Sequence, residues 1–114
     1  MYKVYFIQQA VKGRKGIQPV KIGFSKDPEA RLKNLQTGSP NKLKIRRVIE
    51  FDTKREAEIV ERCLHNIGKK KYKKLEGEWF LIYGSWKAFI EAGMKMAKDP
   101  IEKHLGSRSH DPLN

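Results

Sequence analysis

The alternation of apolar and polar residues predicts the strands of this chain. It runs over residues 2–8 and again over residues 20–25, with the period of a half-buried strand. A segment with two glycines joins these stretches and favours an antiparallel hairpin. A third strand is predicted over residues 43–51, and a short fourth one within residues 77–82. We expect the apolar residues of the third strand to share one face: Leu43, Ile45, Ile49 and Phe51.

Helix start signals follow the second and third of these strands. Asp27 can cap a helix and Pro28 suits its first position, and residues 37–40 (Thr-Gly-Ser-Pro) end it. Thr53 and Glu56 have the spacing of a capping box, which predicts a second helix that runs to about residue 67. Apolar residues recur along it at helical spacing and predict a buried stripe.

A third helix is predicted near the C-terminus. We expect Ser85 to cap it and its apolar stripe to end near residue 98. From residue 100 the chain is polar, which predicts a flexible tail over residues 100–114. Residues 1–99 are therefore expected to form one α+β domain, in which helices flank a small antiparallel sheet.

The chain is strongly basic, with 25 Lys and Arg against 13 Asp and Glu and a formal net charge of +12. Such a surface attracts polyanions, and nucleic acid is the partner that we expect. Lys26 and a basic segment, expected to be a loop, are the candidate nucleic-acid-binding residues, and Tyr72 would stack on an exposed base. A run of solvated lysines is the alternative interpretation. The basic segment consists of Lys69, Lys70, Lys71, Tyr72, Lys73 and Lys74.

The sequence gives no indication of a membrane or an oxidising compartment. Cys63 is the only cysteine, so an intramolecular disulfide is excluded. No segment reaches the length of a transmembrane helix, and the N-terminus lacks a signal-peptide core. We therefore expect a cytoplasmic protein without a membrane partner.

The predicted hairpin brings a phenol and an ammonium to one face. If the flanking apolar residues face the core, strand alternation places Tyr5 and Lys21 together on the opposite side. A nearby cation favours the phenolate form of a tyrosine, which can accept a proton from water. A tyrosine that packs along the aliphatic part of a lysine is the alternative interpretation.

Several short motifs follow one another between residues 2 and 82. They are Val4-Tyr5, Lys21-Ile22-Gly23, Arg31, Glu61 and Gly77-Glu78-Trp79-Phe80. In this order and spacing the sequence resembles the GIY-YIG nuclease superfamily, especially its short phage and bacterial branch that ends in a Gly-Glu-Trp-Phe motif. It differs from the usual pattern at Lys3, which replaces the first glycine, and at Lys21, which replaces the second tyrosine.

The resemblance implies a three-stranded antiparallel sheet and the hydrolysis of DNA at one divalent ion. Tyr5, with Lys21 beside it, would help to deprotonate the attacking water. Arg31 would stabilise charge on the phosphoryl oxygens, for which its planar cation is suited. Glu61 would bind Mg²⁺ or Mn²⁺, since Mg²⁺ often takes only one or two carboxylates.

Two further residues are candidates with open alternatives. Glu58, Glu61 and His65 lie on one side of the second helix, where His65 would act as a second base or orient a water. Alternatively, Glu61 and His65 form an ordinary surface pair one helical turn apart. Glu78 either replaces an asparagine that the family has late in its sequence or is a carboxylate at a strand edge.

The hypothesis is therefore a divalent-metal-dependent endonuclease that acts on duplex or branched DNA. A catalytically inactive DNA-binding module on the same fold is the alternative. An RNA-binding or protein-interaction domain is a third interpretation, which rests only on the charge and on the helix near Trp86.

Overall fold

The computed structural model describes residues 1–109, with the side chains of residues 1–105. Residues 110–114, the end of the expected tail, lie outside the described residues. The elements along the chain are β1 Tyr2–Ala10, β2 Val20–Ser25, α1 Pro28–Thr37, β3 Lys42–Phe51, α2 Lys54–Lys71, β4 Lys73–Lys74, β5 Trp79–Leu81 and α3 Trp86–Ser109.

The strands form one sheet in the order β3-β1-β2-β5-β4, and every neighbouring pair is antiparallel. The predicted α+β class is confirmed, but the expected three-stranded sheet is wrong because the sheet has five strands. The additional strands are a small hairpin, turned by Gly77 at a φ of 61°, which extends the sheet beyond β2. Two consecutive lysines form β4. Lysine is depleted in strands, so local propensity gives no signal for this pairing.

A β-bulge in β3 places the apolar side chains before and after it on opposite faces of the sheet. The β1–β3 register shifts after Phe6, and Arg46 is the extra residue on β3. An extra residue reverses the alternation of side chains that follow it. The expectation of one shared apolar face is therefore wrong: Leu43 and Ile45 pack on the side of α1, and Ile49 and Phe51 on the side of α2 and α3.

Helices cover both faces of the sheet. α1 packs on the face that we call the α1 face, where Tyr5, Ile7 and Leu43 form a small buried cluster. α2 packs on the opposite α2 face, α3 packs on α2, and the larger core there includes Leu64 and Phe80. In the described part of the chain, no helix is long and apolar enough to cross a membrane.

α2 begins as predicted but ends four residues later. The Thr53 hydroxyl accepts from the Glu56 N–H, and the Glu56 carboxylate accepts from the Thr53 N–H, so the capping box is confirmed. The helix continues to Lys71 because its last turns are packed, with Ile67 and Gly68 buried. Gly68 lies against the ring of a core phenylalanine.

The basic segment is ordered secondary structure, so the predicted loop is wrong. Three of its lysines form the last turn of α2, where cations interact favourably with the helix dipole, and two form β4. Tyr72 lies between them, half-buried, with its ring centroid 5.1 Å from that of Tyr83 and 5.2 Å from that of Phe89. Its ring packs against the core, and its stacking on a base stays a prediction.

α3 is longer than its apolar stripe predicts. The predicted cap is confirmed, since the Ser85 hydroxyl accepts from the N–H of Ala88 at 3.1 Å. The helix continues through Pro100 to Ser109, although a proline removes one helical hydrogen bond. Ile101, one residue beyond the proline, packs against the main core. Residues 100–109 are therefore helical, where a tail was expected.

Candidate active site at the edge of β2

The ladder between β2 and β5 is only two residue pairs long. It ends where the N–H of Ile22 donates to the backbone oxygen of Glu78 at 3.2 Å. β2 continues to Ser25 beyond this point, past the start of β5. Side chains from both faces of the sheet can therefore meet at this edge.

His65, on α2, binds the next backbone oxygen of this edge. Its Nε2 lies 2.7 Å from the carbonyl oxygen of Ile22. A carbonyl only accepts hydrogen bonds, so Nε2 carries the proton and Nδ1 is the acceptor atom of the neutral ring. The imidazole also packs edge-on against Phe80, with 5.2 Å between the ring centroids. These two contacts hold His65 in one orientation.

Two carboxylates lie beside this imidazole. The Glu61 Oε1 is 3.8 Å from the His65 Nε2, one helical turn away on α2. Glu78 comes from the turn before β5, and the three residues each offer a possible ligand atom within 4.8 Å of the others. The expected helical pair is thus part of a larger cluster, in which residues far apart in sequence meet.

Lys21 joins this cluster from the α1 face. Its Nζ donates to the Glu78 Oε1 at 2.8 Å, and its side chain is only 11% exposed. A buried ammonium requires a paired anion, which Glu78 supplies. Glu78, itself 42% exposed, keeps access to solvent. We call Lys21, Glu61, His65 and Glu78 the edge cluster.

The electrostatics of the edge cluster are concentrated on Glu61. The pKa of its carboxyl is raised from 4.5 to about 7, first by burial and then by the charges of Glu78 and Glu58, while the charges of Lys21 and Arg62 oppose this rise. A raised carboxyl pKa means that the ionised form is costly at this position. The arrangement therefore favours a positive partner for Glu61, either a proton or a cation.

A cavity of about 260 Å³ opens beside Glu61 and His65. Most of its lining comes from one side of α2, and Phe24 of β2 completes it. Sequence reasoning missed Arg62 and Asn66, although their helical spacing from Glu58 and Glu61 was a usable signal. The residues that line it from α2 are Glu58, Glu61, Arg62, His65, Asn66 and Lys69.

Tyr5 shares the α1 face with Lys21, as strand alternation predicts, but this face has a core of its own. Tyr5 is 1% exposed. Its ring lies over Gly23, where a Cβ atom would come within 2.5 Å of the phenol oxygen and 2.6 Å of Cζ. The ring therefore reaches across β2 from β1, and only a glycine at this position leaves room for it.

The remaining candidates lie outside the edge cluster. Arg31 is exposed on α1. Lys26 is exposed and its Nζ lies 5.1 Å from the centroid of the Tyr2 ring. In the basic segment, Lys69 lines the cavity beside Glu61, whereas Lys70 and Lys71 line a separate cavity between α2 and α3.

Comparison with models of protein families assigns the chain to a family. The model of the T5orf172 domain matches residues 3–96, and the chain belongs to this family. Comparisons with curated proteins and with solved structures gave no match. T5orf172 is a DNA-binding or endonuclease-like domain, which supports a DNA-related function at that coarse level.

This assignment corrects the resemblance drawn from the motifs. The matching family is T5orf172, a nuclease-like fold with a related role, and the GIY-YIG assignment is wrong. The motifs are short, and their order alone does not separate two families with related roles. The match also includes the first part of α3, up to residue 96, which lies beyond the residues that carried the resemblance.

Proposed function

We propose that this domain hydrolyses phosphodiester bonds of DNA at the edge cluster. The observation that carries the proposal is the convergence of two carboxylates, an imidazole and a buried ammonium at the open edge of β2. The net charge of +12 and the T5orf172 membership support DNA as the substrate. Duplex or branched DNA remains the expected form.

The donor set fits one hard divalent cation, Mg²⁺ or Mn²⁺. The His65 Nε2 is engaged by a backbone oxygen, so Glu61 and Glu78 provide the anionic ligands, and carboxylates are what these ions prefer. The raised pKa of Glu61 fits the same interpretation, because a cation would offset the repulsion among the carboxylates. A bound divalent cation supplies positive charge beside the phosphoryl oxygens.

Two residues are candidates for accepting a proton from the attacking water. His65 is fixed by its bond to Ile22, which leaves Nδ1 as the accepting atom. Tyr5 is the other candidate, because its hydroxyl extends over Gly23 on the same face as Lys21. Tyr5→Phe removes only this hydroxyl, whereas His65→Gln replaces the imidazole with a carboxamide.

Cationic side chains would stabilise the negative charge that develops on the phosphate. Lys21 is held beside Glu78 within the edge cluster, and Lys69 lines the neighbouring cavity. Arg31 would approach from α1, where it is exposed and free to clamp a phosphate bidentately. Lys26 and the remaining lysines of the basic segment would contact the DNA backbone further away.

Plasmid cleavage with a charge-matched control tests the proposal. Supercoiled plasmid is incubated with Mg²⁺ or Mn²⁺ and with wild type, Glu61→Gln or Glu102→Gln, the last an exposed carboxylate on α3. We expect Glu61→Gln to lose cleavage by a factor of about 100 or more, the size typical for one group that stabilises the transition state. Its DNA affinity should stay equal or increase, because an anion is removed, and Glu102→Gln should cleave as wild type does.

A DNA-binding module without catalysis is the second candidate, and one observation favours it. The Lys21 ammonium already occupies an oxygen of Glu78, so it competes with a cation for that carboxylate. Wild-type protein that binds plasmid but leaves it intact with both ions would establish this alternative. Equal cleavage by wild type and Glu61→Gln would instead remove the edge cluster as the active site.

A further inference from the structure

A second pocket lies on the α1 face next to the edge cluster. Its volume is about 420 Å³, and it lies among the turn after α1, the end of β1 and the β4–β5 hairpin. Trp79 lines this pocket and is the cross-strand partner of Lys21. Trp79 also directly follows Glu78, so the pocket and the edge cluster share a stretch of backbone.

The lining of this pocket is unlike a phosphate site. None of the described residues that line it is Lys or Arg, although the chain has 25 of them. Its apolar part consists of an indole with a leucine and two prolines, and its polar groups are an amide, a hydroxyl and a carboxylate. The apolar residues are Trp79, Leu75, Pro19 and Pro40, and the polar side chains are Gln9, Ser39 and Glu76.

This combination suits an uncharged, planar ring with hydrogen-bonding edges. An indole provides a stacking surface for any base, while Gln and Glu side chains can pair with the polar edges of adenine and cytosine. A carboxylate in the lining disfavours a phosphate. The Trp79 backbone is fixed, since its N–H donates to Glu76 and its carbonyl accepts from Leu75 at 2.8 Å.

We propose that this pocket binds one unstacked nucleobase of the DNA substrate. The inference rests on the proposed function in that DNA is the partner, and it adds a preference for DNA that can release a base. A base held here would place the adjoining phosphate beside Lys21, because Lys21 and Trp79 are paired across β2 and β5. Branched, gapped or bulged DNA would therefore be preferred over a fully paired duplex.

The test compares three short DNA duplexes of otherwise equal sequence at low salt. The first is fully paired, the second carries one extrahelical base, and the third has an abasic sugar at the same position. Wild type should bind the second about 5- to 100-fold more tightly than the third, the range expected for stacking of one base on an aromatic side chain. A 2-aminopurine as the extrahelical base should lose fluorescence on binding.

Gly38 allows the pocket to be blocked without strain. It lines the pocket at a φ of −93°, and a Cβ atom there would meet nothing within 4 Å. Gly38→Leu should abolish the preference for the extrahelical base and the fluorescence change, while the affinity for the paired duplex stays the same. Asn34→Leu, which adds the same side chain at an exposed position of α1, is the matched control.

The outcomes separate this inference from the proposed function. Equal affinity for the extrahelical base and the abasic site, with duplex binding intact, would overturn the nucleobase pocket alone. The same holds if Gly38→Leu keeps the full preference. Failure of wild type to bind any of the three duplexes would overturn the proposed function and this inference with it.

Discussion

The two faces of the sheet are covered to very different extents. On the α2 face two helices enclose a large core, in which Leu64 and Phe80 are fully buried. On the α1 face one helix of ten residues covers a cluster of three buried side chains, and its Leu32 and Leu35 are only half-buried. The α1 face nevertheless carries the buried Lys21 and the pocket beside Trp79.

This difference indicates a division of roles, in which the α2 face provides stability and the α1 face provides binding. A large apolar area stabilises the fold on the α2 face, because burial contributes in proportion to area. The thinner α1 face leaves room for polar groups and for a ligand. The edge cluster lies where the two meet, with Glu61 and His65 supplied by α2 and Lys21 by the α1 face.

Truncation of one side chain on each face should give the largest difference in the free energy of unfolding. Phe80→Ala should lower the free energy of unfolding by about 3–5 kcal/mol, because it leaves a cavity in the main core. Leu32→Ala should cost about 1 kcal/mol, since its side chain is half-buried. Urea denaturation measures both values. Equal costs would show that the two faces contribute alike, and the proposed division would be wrong.

The pH dependence of stability tests the charge of the edge cluster. The pKa of Glu61 is about 7 in the folded chain, above its usual value of 4.5, so the unfolded chain releases this proton first. The contribution of Glu61 to the free energy of unfolding is therefore fully present below about pH 4.5 and is lost as the pH rises through about 7. Glu61→Gln should lack this loss and be more stable than wild type above pH 7 by about 1–3 kcal/mol.

Urea denaturation across this pH range without divalent cations is the measurement, with Glu102→Gln as the exposed control. Addition of Mn²⁺ at high pH should restore the lost stability of wild type but not raise that of Glu61→Gln. Parallel pH profiles of wild type and Glu61→Gln would contradict the assignment of the raised pKa to Glu61.

A methyl group on β2 tests the close packing of Tyr5 on the α1 face. Gly23→Ala should destabilise the protein by about 1–3 kcal/mol, because its Cβ atom would overlap the rigid phenol ring. Combining it with Tyr5→Leu should recover part of that loss, giving a coupling of about 0.5 kcal/mol or more in a double-mutant cycle. Gly38→Ala, with nothing within 4 Å of the added atom, should change stability by less than about 1 kcal/mol. Additive effects of the two substitutions would show that Tyr5 and Gly23 do not constrain each other.

Removal of single lysines should have the smallest effect. Lys69 lines the cavity beside Glu61, whereas Lys98 is exposed on α3. If Lys69 contacts one phosphate, Lys69→Gln should reduce the slope of log affinity against log salt by about 0.9 on duplex DNA. Lys98→Gln should leave the slope unchanged. Equal slopes for both variants would place the DNA elsewhere on the surface.

The accuracy of the sequence-based predictions depends on how far apart along the chain the residues lie that determine each feature. The caps of all three helices were predicted correctly, because each depends on hydrogen bonds that span three residues, such as the bond from Glu56 to Thr53. The shared face of Tyr5 and Lys21 follows from alternation within one hairpin. The bulge at Arg46 has no local signal, and it reversed the expected face of half of β3.

The sequence by itself determined every element except β4, the helix caps, the basic charge and the individual residues Lys21, Glu61, His65 and Glu78. Only the tertiary structure decided that these four meet, since Lys21 and Glu78 are 57 residues apart and join through the short β2–β5 ladder. It also decided that Tyr5 and Tyr72 pack in apolar clusters and that Trp79 lines a pocket. Caps and alternation arise from neighbouring residues, whereas the edge cluster depends on where β5 begins along β2, and that is determined by packing on both faces of the sheet.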